Sequence, residues 1–263
     1  MSDGDEEQSS GRPLLSARGV TVTFGGVTAL GGVDFDVFRG EVCGLIGPNG
    51  AGKTTLFDVL GGQHFPTSGT VRLDGQDITN RSPTWRARQG VRRTFQRQQT
   101  FGWLSVEDNL VVSMEWQHGG GGLLADLVNF PTRRRFERQR RERAAEVLDL
   151  CGIADIASLP AGKLSIGRAR MVEMARAIVD RPQVLLLDEP TSGLETTEVE
   201  RFGETMRRIS SEQKCAVVVV EHDMQFVMGQ CDRLVVLNLG SVIAAGSPEE
   251  IRNDPEVSAA YLG

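Results

Sequence analysis

This chain of 263 residues has little of what would tie it to a membrane, a metal cluster or a nucleic acid. Its longest apolar runs, 184–187 (Val-Leu-Leu-Leu) and 215–220 (Cys-Ala-Val-Val-Val-Val), fall far short of the ~20 residues that a membrane-crossing helix needs, and no signal-peptide core opens the chain. A cytosolic protein is therefore expected. The cysteines, Cys43, Cys151, Cys215 and Cys231, are scattered with no Cys-x-x-Cys pair, which favours reduced, buried thiols over metal ligands or disulfides. There is no excess of positive charge either: the formal net charge is −6, so nothing in bulk electrostatics attracts nucleic acid. No internal repeat is visible. Hydrophobic content of 40% and charged content of 24% are ordinary for a globular chain.

What is present begins after a polar tail over 1–12 that lacks apolar periodicity and is expected to be disordered. Residues 13–263 then read as one domain. Strand-like runs occupy the stretches near 14–24 and 33–46, helical patterns dominate to about Pro182, and short β-branched or leucine runs return at 184–188, 215–220 and 234–246. The pattern is that of an α/β core with a helical insertion at about 97–179.

The stretch from Gly47 to Thr55, Gly-Pro-Asn-Gly-Ala-Gly-Lys-Thr-Thr, follows a predicted strand and opens an apolar helix, the context a phosphate-binding loop requires. Gly47, Gly50 and Gly52 let the backbone turn its N–H groups inward, Lys53 reaches the outer phosphates, and Thr54 supplies a hydroxyl to Mg²⁺. Pro48, Asn49, Ala51 and Thr55 complete the nucleotide-binding set. No Asn-Lys-x-Asp motif for reading guanine occurs, which leaves ATP as the nucleotide. A second acidic strand end is needed for the metal, and 184–189 provides Asp188 for Mg²⁺, through water, and Glu189 to orient or deprotonate the attacking water. A third strand runs into His222, a neutral donor placed toward the γ-phosphate, at the strand end where open α/β sheets put their ligands.

Together with Leu-Ser-Ile-Gly-Arg at 164–168, the stretch ending at Gln96 and the Glu-His-Asp at 221–223, these motifs resemble, in order and from about residue 14 onward, the nucleotide-binding subunits of ABC transporters. The wording is most similar to the ATPases of branched-chain amino-acid uptake, in the stretch from Thr23 to Leu30, in that following the signature and in the terminal Ala-Tyr-Leu-Gly. Related ATPases for urea uptake or lipopolysaccharide export share much of it. A soluble ABC ATPase, as in iron–sulfur assembly, uses the same motifs without a membrane partner.

The resemblance implies a P-loop NTPase fold, with a RecA-like mixed sheet, an N-terminal antiparallel β-subdomain and an inserted α-helical subdomain, and an ATPase that powers import of a small solute. It implies that Ser165 and Gly167 face a nucleotide held by a second ATP-binding subunit, copy or paralogue, so that two subunits sandwich two ATP molecules. It assigns Gln96 to Mg²⁺ and the attacking water. It stacks Phe24 on adenine, and it points Phe101, Trp103 and Leu104 toward a membrane permease. Core packing is the competing reading for those three and for Phe24.

Three positions depart from the family's usual residues, one of them Ile166 at the third signature position. Arg168 stands at the fifth signature position, and Glu195 stands where Asp or Asn is typical; altered turnover is the expectation. The arginine run at 133–143 reads as a solvated helix face, with Glu137 and Glu142 pairing to flanking arginines. No nucleic-acid partner is expected.

Overall fold

A computed structural model describes residues 11–94, 100–114 and 130–262. The chain divides into two compact units. The first comprises residues up to Arg93 together with Pro182–Ser192 and Val199–Gly263; the second comprises Thr94–Arg181 and Gly193–Glu198.

In the first unit, β1 (Leu15–Phe24) pairs antiparallel with β2 (Val27–Val37) and with β4 (Ser68–Leu73), which in turn pairs with β5 (Gln76–Asp77). Part of β1 alternates buried and exposed residues, and its buried side chains Leu15, Ala17, Val20 and Val22 join the core. The second sheet has the order β10-β9-β3-β8-β7-β6. Its members are β3 (Val42–Ile46), β6 (Val91–Arg93), β7 (Val184–Asp188), β8 (Ala216–Val220), β9 (Arg233–Asn238) and β10 (Ser241–Gly246). All pairs are parallel except β9 with β10. Every residue of β3, β7 and β8 is buried, as central parallel strands covered on both faces must be, which is why these runs are almost continuously apolar.

The helices of this unit begin with α1 (Lys53–Gly61), whose Leu56, Phe57, Val59 and Leu60 are wholly buried, each worth about 2 kcal/mol of transfer free energy. Next is α2 (Pro83–Arg88), capped by the Ser82 hydroxyl. In the second unit lie α3 (Val106–Ser113), α4 (Phe130–Leu150) and α5 (Ile166–Ile178); α3 and α5 are capped by Ser105 and Ser165. The chain then returns through α6 (Thr196–Gln213) to α7 (Met224–Gln230), α8 (Pro248–Arg252) and α9 (Pro255–Leu262). A capping box between Ser247 and Glu250 starts α8.

The parallel order sets β3, β8 and β7 side by side, with Leu45 opposite Val220 and Val220 opposite Asp188. Their C-terminal ends therefore open at one edge of the sheet, where the lysine loop, Asp188 and His222 lie. In the second unit the arginine run lies on α4. Glu137 and Glu142 pair with Arg141 and Arg138 at one-turn spacing. Arg141 also reaches Glu107 and Asp108 of α3, while the Arg143 guanidinium donates to the Ile178 and Val179 carbonyls at the end of α5.

Candidate functional site

The loop from Gly47 to Gly52 joins the end of β3 to α1. Gly47 and Gly52 have φ of 149° and 101°, and a Cβ on them would lie 2.1 Å from the Leu237 carbonyl oxygen and 2.8 Å from that of Ala29. Neighbouring backbone thus demands glycine there, in addition to any need to approach a phosphate. The β9–β10 turn is bonded to the loop, with the Gly240 N–H donating to the Ala51 carbonyl at 3.0 Å. The C-terminal helix also reaches it: burial raises the pKa of the Tyr261 phenol, and the Gly47 backbone opposes that shift.

Lys53 is buried at the start of α1 and folds back on its own loop, donating from Nζ to the Gly47 and Pro48 carbonyls at 2.6 and 3.0 Å. Burial lowers its pKa, and the Glu189 carboxylate opposes that shift. Thr54 is exposed in the first turn of the same helix.

Asp188 closes β7 and is buried, which raises its pKa, while Arg93 on the neighbouring β6 opposes the shift with an N–H···O contact of 2.9 Å. Glu189 follows in a left-handed conformation, φ 44°, a strained state for a side chain of its size and one often found at reacting groups. Its carboxylate meets His222, with Oε1 2.9 Å from Nε2. His222 is itself positioned by Glu221. That buried carboxylate accepts the His222 N–H at 3.1 Å, the Thr191 N–H at 2.8 Å and the Thr191 hydroxyl at 2.6 Å, so the segments after β7 and β8 are laced together.

The residues present suit Mg²⁺. A threonine hydroxyl and a strand-end carboxylate are hard oxygen donors, and among the described residues no three His, Cys, Asp or Glu converge on a point that would hold a metal unaided. The remaining oxygens must come from a ligand, as they do when a phosphate-bound Mg²⁺ is held. Gln96 lies outside the described residues.

Phe24 ends β1 half exposed, its ring 4.8 Å from that of His64 at 46°. It is no core residue, and it has a neighbour that sequence reasoning missed. In the second unit, Ser165 is exposed and caps α5 by accepting the Arg168 N–H. Gly167 is buried against the Glu198 carboxylate, which a Cβ would meet at 2.0 Å. Glu198 also accepts the Glu195 N–H, so it joins the signature to the turn bearing Glu195. Arg168 pairs with Asp155 at 3.0 Å, which offsets the positive charge it brings. Trp103 is 80% exposed, its ring 5.8 Å from Phe101, so core packing does not account for it. Asn109, fully buried and bonded to the carbonyls of Phe101, Leu104 and Ser105, holds that loop in shape.

All four cysteines are free and buried, and burial pushes the thiols of Cys43 and Cys215 up to about 12. No described helix is long and apolar enough to cross a membrane.

Residues 30–192 match the family described as ABC transporter, and residues 241–263 match a second described as branched-chain amino acid ATP-binding cassette transporter. The chain is 41% identical over 252 residues to the high-affinity branched-chain amino acid transport ATP-binding protein BraF of Pseudomonas aeruginosa, covering 96% of this chain and 98% of that one. It is 40% identical, with the same coverage, to LivG of Escherichia coli K12, which carries the same description. Among solved structures it is similar to the ADP conformation of the ABC transporter cassette MJ1267, at 27% identity and a TM-score of 0.82 over 96% of this chain and 99% of that one. It is also similar to the dimeric structure of the bacterial cassette MJ0796, at 25% identity and a TM-score of 0.73 over 89% and 98%.

Proposed function

The chain belongs to the ABC transporter family, and we propose that it is the ATP-hydrolysing subunit of an uptake system for branched-chain or similar amino acids. The observation that carries the ATPase reading is the Glu189–His222 contact at the mouth of the strands that also bear the lysine loop and Asp188. The amino-acid reading rests on the names of the two relatives and on the matched C-terminal segment.

The chain's own residues divide the work. Lys53, whose ammonium bonds to two carbonyls of its own loop, brings that charge to the outer phosphates of ATP. Thr54, Asp188 and Gln96 would hold Mg²⁺, which would supply positive charge to the phosphate oxygens. Glu189 orients or deprotonates the attacking water, while His222 either holds that carboxylate through Nε2 or turns its single N–H toward the charge developing on the γ-phosphate. Phe24 provides a face for adenine. Ser165 and the N-terminus of α5 act on a nucleotide held by a second ATP-binding subunit; the dimeric cassette related to this chain supports that pairing.

ATP thus joins the two subunits, and hydrolysis replaces that bond with like charges that part them. Residues 13–263 act as one ATP-binding domain, and the second compact unit is read as its helical subdomain. The exposed Trp103 with Phe101 faces a membrane permease, and attachment to the cytoplasmic side of the membrane is through that partner. Deleting the gene and measuring entry of labelled leucine, isoleucine and valine tests the substrate. Loss of one or more is expected; undiminished entry of all three, with loss of urea uptake instead, would overturn the assignment.

A further inference from the structure

Arg93 is the last residue of β6, three positions before Gln96. Its side chain is nine-tenths buried and lies over the Phe57 ring at 4.8 Å. Nη1 donates to Asp58 Oδ1 on α1 at 2.5 Å, and Nη2 donates to Asp188 Oδ2 at 2.9 Å. One guanidinium is thus shared between the carboxylate assigned to the metal and a second on the helix that begins with Lys53 and Thr54.

The two carboxylates differ in environment. Asp188 is 7% exposed and has little water to solvate its charge; Asp58 is 34% exposed and has water as an alternative. An arginine bonded to a buried carboxylate stands in for any cation that comes later, because two positive charges at one carboxylate repel. A second anchor on the far side reduces that repulsion by keeping part of the guanidinium charge on Asp58.

Resting on the assignment of Asp188 to Mg²⁺, we infer that Arg93 is a positioning residue that sets how strongly this site holds a divalent cation. It neutralises and orients Asp188 when the cation is absent and leans on Asp58 when it arrives. Asp58 is the other half of the device. The two residues therefore act in opposite directions: Arg93 weakens cation binding, and Asp58 relieves that weakening.

The test is ADP binding to the full-length protein by calorimetry, in MnCl₂ and in EDTA, with bound Mn²⁺ counted by electron paramagnetic resonance. The ratio of the two dissociation constants is the metal enhancement. Arg93→Met is expected to raise it about tenfold and Asp58→Asn to lower it about threefold, with affinities in EDTA unchanged within twofold. An ion pair that only braces the fold would give lowered enhancement, or none of these changes, in both variants, and either result overturns the inference. Should Arg93→Met fail to fold, Asp58→Asn decides alone: unchanged or raised enhancement refutes it. Asp188→Asn separates this inference from the assignment beneath it. If that variant keeps the parent's full enhancement, the metal assignment itself is wrong and the inference falls with it.

Discussion

Replacing Arg86 by methionine should remove about 4 kcal/mol of stability, although the residue lies outside the proposed nucleotide site. Arg86 is fully buried, and its guanidinium donates to five backbone carbonyls. These belong to Val59 and Leu60 at 2.6 and 2.8 Å, Ile78 and Thr79 at 2.7 and 3.0 Å, and Arg81 at 3.1 Å. The first two lie in the last turn of α1, whose end would otherwise leave carbonyls unpaired in the core. A charged donor to a carbonyl is worth about 1.5 kcal/mol at the lower end of the usual range. Against the five bonds stands the cost of keeping the charge out of water. Burial brings the Arg86 pKa down to about 10 from 12.5, which corresponds to about 3 kcal/mol.

The difference is the predicted loss of about 4 kcal/mol, roughly a 10 °C fall in Tm for a chain of this size. Arg86→Lys keeps the charge but offers three donors and lacks the planar fork, and should lose about half as much. Urea unfolding with an unchanged m-value is the assay. A loss below 1 kcal/mol for Arg86→Met, or a lysine variant as stable as the parent, would show that the carbonyls find other partners and refute the reasoning.

Two further predictions follow from the same kind of contact. Glu221→Ala, by releasing His222 and Thr191, should lower kcat about tenfold with KM for ATP changed less than twofold, and Glu221→Gln should fall between; a large rise in KM with kcat intact would place Glu221 in nucleotide binding instead. The thiols should be silent to Ellman's reagent at pH 8 in the native protein and should react fully in denaturant. With pKa values of about 12, only about one in ten thousand of the Cys43 and Cys215 thiols is ionised at that pH, and prompt native reaction of either would contradict their burial.

What could be read from the residues alone were features written in short, contiguous runs. The lysine loop, the acidic pair at Asp188 and Glu189, and the strand before His222 combine an apolar strand with a polar or charged end, and that grammar is local. The antiparallel β-subdomain and mixed sheet followed from the family's wording. The contacts that position the site were not legible, because they join residues far apart in the chain. Arg93 meets Asp58 across 35 positions, Thr191 meets Glu221 across 30, and Arg86 meets Val59 across 27. Each depends on how the elements pack, which no periodicity reports. Tyr261, whose pKa the Gly47 backbone influences, is the extreme case. The glycines of that loop were read for what they offer a phosphate, whereas Leu237 and Ala29 show that neighbouring backbone also requires two of them.

The most direct measurement of the central claim is single-turnover ATP hydrolysis by the transporter complex carrying Glu189→Gln in this subunit. The glutamine preserves shape and the His222 contact while removing the base, so hydrolysis at this subunit's own loop should slow by at least a hundredfold with ATP still bound. Hydrolysis at that loop within twofold of the parent rate, with ATP equally well bound, would contradict the assignment of Glu189 and the mechanism built on it.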